Sequence, residues 1–427
     1  MRAGPARRRS AVAALALALA AADARADDAA TDWRASAELA VSASPARADA
    51  PANPGLVDAR RGEAGPALHV NARHAAGDLV LTADGWLQAR RDWLRGETVS
   101  HGYLPEASAS WQAGSSVNLS AGIGAFRWGS GYSWNPANPL TDVQANNTSR
   151  ALAYRRDGDP FASIEFAFGQ DLLALTVAQL RQTDRLLDRQ ERRENRAVLR
   201  YQAMFDGADI TAFAAAGDGE SFGGLSASAA PGDQLELHAE LGLRSRRRAP
   251  SVRAVDLGPA QAPLAVLDFA PRPVATLSGL VGGQYTFADS TNLIVEFFHD
   301  GNGLSRGEFD ALRAGIASSR ERLDDPAFGA AAQGFLKDTT RLAGRMRRDY
   351  LFVRVARDEL FARTDLHAYA RTGLADGATV WGLLLRRAIT PALRVQAGVE
   401  LYRGDADSEA RLIPVRQRVE AALIADF

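Results

Sequence analysis

Over most of this chain, apolar and polar residues alternate one by one. In Leu235-Glu236-Leu237-His238-Ala239-Glu240-Leu241-Gly242-Leu243-Arg244 every odd position is apolar and every even one is polar or glycine. Leu393-Arg394-Val395-Gln396-Ala397-Gly398-Val399-Glu400-Leu401-Tyr402 repeats the pattern, as do Leu293-Ile294-Val295-Glu296-Phe297 and Leu366-His367-Ala368-Tyr369-Ala370-Arg371. A period of two sends successive side chains to opposite faces of an extended strand. Such runs are about 10 residues long, the length a tilted strand needs to cross hydrocarbon. No stretch approaches 18 consecutive apolar residues, so no membrane-spanning helix is expected.

A soluble sandwich would alternate too, so the connections decide. Strands placed at 32–43, 65–75, 78–92, 103–113, 116–128, 160–169, 172–182, 195–206, 208–217, 221–230, 234–246, 274–287, 291–300, 348–357, 362–373, 378–389, 392–403 and 414–427 number eighteen, within a range of sixteen to twenty. Every second join is a tight turn, such as Asp206-Gly207, Gly232-Asp233, Asp358-Glu359 and Thr390-Pro391. The intervening joins are generally longer and include 44–64, 129–159, 183–194, 247–273, 301–347 and 404–413. An even strand number with short turns at one end and long loops at the other describes an all-β, transmembrane, antiparallel up-and-down β-barrel. The final segment fits it: Val419, Ala421, Leu423, Ala425 and Phe427 form one apolar face, with Arg416, Arg418, Glu420 and Asp426 opposite.

In lipid a sheet is allowed only if it closes on itself. Eighteen strands enclose more space than their own side chains fill, which leaves an aqueous lumen. An arginine facing the lipid midplane costs roughly 2–4 kcal/mol. The charges on alternating positions therefore face inward, among them Arg73, Asp84, Glu165, Arg200, Glu236, Glu240, Arg244, Glu296, Arg354, Arg371, Arg394 and Glu400.

The first residues carry Arg2, Arg7, Arg8 and Arg9, then an apolar run from Ala11 to Ala22, then Ala24-Arg25-Ala26. This charged, apolar, small-residue order is that of a secretory signal peptide over 1–26, leaving 27–427 as the barrel. Only a few residues would then precede the first strand, so no plug domain is expected. The absence of cysteine excludes a disulfide scaffold, a thiolate metal site, a lipoprotein anchor and a cysteine nucleophile. Fifty basic against 51 acidic residues offer no footprint for nucleic acid. Lys337 is the only lysine, a bias that fits a GC-rich genome better than a binding signature.

The join after the fifth strand reads Phe126-Arg127-Trp128-Gly129-Ser130-Gly131-Tyr132-Ser133-Trp134-Asn135-Pro136-Ala137-Asn138-Pro139-Leu140. Its W-G-x-G-Y-x-W-N-P run resembles one found in porin-like and export-type outer-membrane barrels of Gram-negative bacteria whose substrates are unassigned. In general porins the third long loop folds into the lumen and narrows it. The resemblance thus makes 129–159 a candidate constriction, with Arg127, Trp128, Tyr132, Trp134 and Asn135 as candidate lining residues. The alternative is that the aromatic residues belong to the outer girdle of the barrel. The terminal phenylalanine resembles the signal by which barrel-assembly machinery recognises its clients, which implies that Phe427 and its strand meet that partner.

The join at 301–347 changes period. Ser305-Arg306-Gly307-Glu308 is a capping-box pattern, and Phe309, Leu312, Ile316 and Leu323 follow near helical spacing. Asp325-Pro326 restarts a helix, with Phe328, Phe335, Leu336 and Leu342 on its apolar face. Two short helices are expected, lidding the extracellular mouth or dipping into it. His299-Asp300-Gly301-Asn302-Gly303 lacks the rest of a calcium loop and reads as a turn. Arg189-Gln190-Glu191-Arg192-Arg193-Glu194-Asn195 reads as a solvated loop that could bridge lipopolysaccharide phosphates.

No zinc-binding histidine pair, nucleophile elbow or phosphate-binding loop is found, so neither enzyme activity, metal nor cofactor is expected. The expected function is a channel in the cell outer membrane for passive diffusion of small solutes, in contact with lipid and lipopolysaccharide. One alternative is an export conduit for a polymer or small molecule with an inner-membrane partner. Another is a structural or surface-attachment barrel, and an electron conduit sheathing a haem protein is a weaker fourth.

Overall fold

The computed structural model describes residues 29–140, 157–182, 192–255, 264–342 and 346–427. The proposed leader and the segment 141–156 of the candidate constriction lie outside the described residues. Alternation becomes strand wherever it was expected. The first strands are β1 (Ala29–Ser44), β2 (Arg61–Ala76), β3 (Leu79–Asp92), β4 (Glu97–Gln112), β5 (Val117–Gly124) and β6 (Asp159–Phe168). Then come β7 (Asp171–Gln182), β8 (Arg192–Phe205), β9 (Ala208–Gly217), β10 (Glu220–Ala229) and β11 (Leu235–Arg244). A small separate hairpin, β12 (Ser251–Val255) with β13 (Leu264–Asp268), interrupts the series. It resumes with β14 (Thr276–Thr286), β15 (Thr291–His299), β16 (Asp349–Phe361), β17 (Thr364–Gly373), β18 (Thr379–Thr390), β19 (Leu393–Arg403) and β20 (Gln417–Asp426).

Every barrel strand pairs antiparallel with the next, β11 with β14 across the hairpin. The eighteenth closes on the first, with Leu39 opposite Leu423 and Ala37 opposite Ala425. Closure removes both sheet edges and lets the backbone of the wall stay in lipid. Burial follows the alternation: Val281, in mid-strand, is 56% exposed while its neighbour Leu280 is 4%. Leu39, Leu175, Leu199, Leu225, Leu241 and Leu383 continue the exposed apolar band. Trp33, Trp111, Phe168, Phe205, Phe287 and Phe361 ring the short-turn end, and Trp93 and Trp381 mark the other, as girdles at two membrane interfaces do. Val281→Arg should therefore cost about 2–4 kcal/mol, read as a lower denaturant midpoint for the barrel refolded into lipid.

Several boundaries differ from the expectation. β5 stops at Gly124, four residues early, because the chain there turns into the barrel. β16 runs on to Phe361 through a register shift after Arg357, with Glu359 at φ 52°, so the turn is Ala362-Arg363 and not Asp358-Glu359. Two joins at the long-loop end, 93–96 and 218–219, are as tight as those opposite, so length does not strictly mark the ends. Arg192, Arg193, Glu194 and Asn195 belong to β8 and not to a solvated loop, while Arg189, Gln190 and Glu191 lie outside the described residues.

Within 301–347 the structure has α1 (Arg306–Glu321) and α2 (Gly329–Arg341). Ser305 and Glu308 close the capping box reciprocally. Asp325 caps a turn through the Ala327 and Phe328 amides, so α2 begins at Gly329 and not at Pro326. A one-turn helix, α3 (Glu409–Leu412), was not expected.

Candidate functional site

The segment after β5 lies against the inner wall. Two glycines of its motif are dictated by contact. Gly129 has φ +112°, and a Cβ there would stand 2.4 Å from Glu240 Oε1; one on Gly131 would stand 2.0 Å from the Trp134 carbonyl oxygen. The wall makes room in the same way. A Cβ on Gly242 would meet the Pro136 carbonyl oxygen at 2.0 Å, and one on Gly224 the Ala137 carbonyl oxygen at 2.6 Å. Glycine inside a strand commonly marks such a close backbone approach.

Two buried carboxylates hold the segment. Glu240 of β11 accepts from the amides of Gly131 (2.6 Å) and Ala137 (3.1 Å) and from Asn135 Nδ2 (3.3 Å). Glu296 of β15 is fully buried and accepts from the amides of Tyr132 (2.6 Å) and Ser133 (2.7 Å), and from the Ser133 hydroxyl. The His238 Nε2 stands 2.7 Å from Oε1, the oxygen that also takes the Tyr132 amide. Backbone donors in a loop have no sheet partner and must be satisfied when buried. Here two wall carboxylates do it, through charge-assisted bonds stronger than neutral ones.

The aromatic side chains fill the remaining space. Trp134 stacks on Phe298 at 4.5 Å and packs beside Tyr350 and Phe352. Trp128 stacks on Phe213, with the Arg200 guanidinium 5.3 Å above its ring and Glu165 pairing that arginine at 2.8 Å. Tyr132 stacks on Phe352, and the Arg354 guanidinium lies 4.8 Å from its ring centre. None of the three belongs to the outer girdle. The far end of the segment rests on arginines: Arg244 Nη2 donates to the Asn138 carbonyl oxygen at 3.4 Å, and Arg196 donates to that of Pro139. Glu220 ties Arg196 (2.6 Å) to Arg248 (2.5 Å) beneath them.

The expected residues thus divide. Trp128, Tyr132, Trp134 and Asn135 meet Glu240, Arg244, Glu296 and Arg354 in one assembly, and Arg127 is exposed on the same segment. Arg371 stands on β17, two positions from its end at the long-loop mouth. Glu400 is occupied by the Tyr369 and Tyr402 hydroxyls. Glu236 lies nearer the short turns on β11, and Arg394 pairs with Asp426 at that rim, 2.8 Å away. Sequence reasoning did not single out His238, Ser133, Asn138, Glu220, Arg196 or Tyr350. Their signal was present only as inward parity, or as a small polar residue between aromatics.

At the long-loop end, joins that leave the ring at separate points share one core. It comprises Ala52, Ala249, Ala265, Leu304, Phe309, Leu312, Ile316, Phe335, Leu336, Met346 and Leu412. The segment 300–303 beside it is a turn, with the Asn302 amide donating to Asp300 Oδ1 and the Gly303 amide to the Asp300 carbonyl, while His299 ends β15. Arg247 anchors α1 through two bonds to Glu308, at 2.5 and 2.7 Å. Those bonds, aided by the Ser305 amide and hydroxyl, hold the Glu308 carboxyl down at about 2 from an ordinary 4.5. A depressed carboxyl stabilises this folded unit, the cap formed by the joins around that core, fully above the unfolded value and stops doing so as pH falls through the folded one. Helical circular dichroism should therefore decline between about pH 4.5 and about pH 2, and Glu308→Gln should flatten that decline. Partial exposure of the pair limits the contribution to about 1 kcal/mol.

No protein-family model matches the sequence, and no curated protein does. Solved structures match it in fold. OccAB1 of Acinetobacter baumannii is similar with a TM-score of 0.53 at 8% identity, over 94% of this chain and 97% of that one. OpdK of Pseudomonas aeruginosa gives 0.46 at 12% over 93% and 99%, and Salmonella typhi OmpF gives 0.44 at 9% over 93% and 97%. With eighteen closed antiparallel strands, an apolar band and girdles at both rims, the chain has the porin-like fold of an outer-membrane β-barrel.

Proposed function

We propose that this protein passes small solutes passively across the outer membrane, with the long-loop end facing outward and the join 125–158 as its constriction. The observation that carries the reading is the seating of that join inside the barrel by Glu240 and Glu296. A segment whose amides are satisfied by the inner wall narrows the lumen without help from a partner. Arg127, Trp128, Tyr132, Asn135, Arg354 and Glu236 are then the residues a solute meets, and the charges are of both signs. Lipopolysaccharide at the outer rim and the assembly machinery at the β20 strand are its expected partners.

The shared core at the long-loop end favours a second reading, an export conduit opened by an inner-membrane partner. Planar-bilayer recording separates the two. Steady current steps from purified protein support diffusion, whereas a silent barrel that conducts only with a partner supports export. Replacing residues 128–157 by a short glycine-serine turn should enlarge the steps, and unchanged steps would remove the constriction role from this join.

A further inference from the structure

The constriction and the cap each have a core, and Tyr350 stands between them. Its ring is buried beside Trp134, in the cluster that also holds Phe298 and Phe352. Its hydroxyl points the other way. It accepts from the Arg347 amide at 2.7 Å and donates to Glu409 at 2.8 Å. Glu409, also buried, takes the amides of Met346 (2.9 Å) and Arg347 (3.1 Å) on the same oxygen, Oε2. Met346 is itself part of the cap core, and so is Leu412, three residues after Glu409 in α3. The Glu409 amide in turn donates to Asp376 in the 374–378 join, 2.8 Å away. One carboxylate thus gathers the end of the 300–348 join and the start of α3 onto the hydroxyl of a tyrosine whose ring packs against Trp134.

We propose that Tyr350 and Glu409 are positioning residues that make the cap and the constriction loop one mechanical unit, so that displacing the cap is felt at Trp134 and displacing the loop is felt in the cap. The consequence for solute flow rests on the channel reading; the coupling itself does not.

Because the chain has no cysteine, an introduced thiol is the sole reporter. Ala137→Cys lies in the loop, on its wall side, and Ala332→Cys inside the cap, both fully buried. The rate at which a charged methanethiosulfonate modifies each thiol in detergent-folded barrel measures how often that region opens. Coupling between sites typically changes an equilibrium by about 5-fold or more, and it is reciprocal. Tyr350→Phe and Glu409→Ala should therefore raise modification of Ala137→Cys by about 5-fold or more, and Trp134→Ala should raise that of Ala332→Cys. Glu409→Gln, which keeps an acceptor oxygen, should restore slow modification. Thr340→Val, which breaks a cap bond to the Ala52 carbonyl, should speed both thiols while Tyr350 and Glu409 are intact, and only the cap thiol once Glu409→Ala has cut the link. Each variant must first show the heat-dependent gel shift of a folded barrel.

The proposal is overturned if Glu409→Ala exposes the cap thiol and leaves Ala137→Cys protected, or if Trp134→Ala leaves the cap thiol unchanged. A silent bilayer with coupled labelling would instead remove the channel reading and keep the coupling.

Discussion

Glu296→Ala should release the loop from the wall while leaving the barrel intact. Glu296 accepts from two backbone amides and a hydroxyl of the loop, and His238 also faces it. Removing the acceptor strands those donors where water does not reach, at about 1–3 kcal/mol for each unsatisfied group. Summed over the three donors, that is enough to loosen this part of the loop from the inner wall. In planar bilayers the variant should show noisy, variable current steps in place of uniform ones, with the gel shift on heating preserved. Glu296→Gln keeps one acceptor oxygen and should show a weaker form of the same change. Uniform, wild-type steps from Glu296→Ala would mean that the carboxylate does not hold the loop.

The second large effect is expected at Trp134. Its side chain is 1% exposed, stacked on Phe298 and flanked by Tyr350 and Phe352. Replacing a buried aromatic side chain by alanine typically costs about 3–5 kcal/mol, the lost transfer energy plus that of the cavity left behind. The strands around the cavity are tied into a closed sheet and cannot collapse into it, so the upper part of that range applies. Trp134→Ala should lower the temperature at which the loop becomes open to protease, well below that at which the barrel itself unfolds. Trp134→Phe, which still reaches Phe298, should recover part of the difference. Coincident loss of loop and barrel would show that the two are one cooperative unit.

The wall was legible in the sequence because its signal is local. A strand with one face in lipid and one in water must alternate, and each of the eighteen could be read without knowledge of the others. The local rule failed where geometry replaced periodicity. The bulge that carries Glu359 at positive φ lengthens β16 without any change in its pattern. The five-residue strands β12 and β13 are too short to stand out from a loop. The site was legible only in part for a different reason. Parity placed Glu240 and Glu296 inside, along with at least ten other charges. That these two hold the loop depends on contacts more than 100 residues apart in sequence, such as Gly131 with Glu240 and Tyr132 with Glu296. Arg394 and Glu400 looked equivalent to them and are spent on neighbours in the wall. The aromatic run was visible as a motif, but its placement on the inner side and not on the girdle required the fold.

Gly224 and Gly242 sit on adjacent strands, and the two carbonyl oxygens of the loop nearest to them belong to consecutive residues, Pro136 and Ala137. The trough that receives them is therefore not a property of either strand but of the seam between β10 and β11, and it does not exist until that seam has zipped. Assembly acquires a direction from this: the wall must be built at that spot before the loop can come to rest. Two missing methyl groups thus act as a timetable as well as a berth.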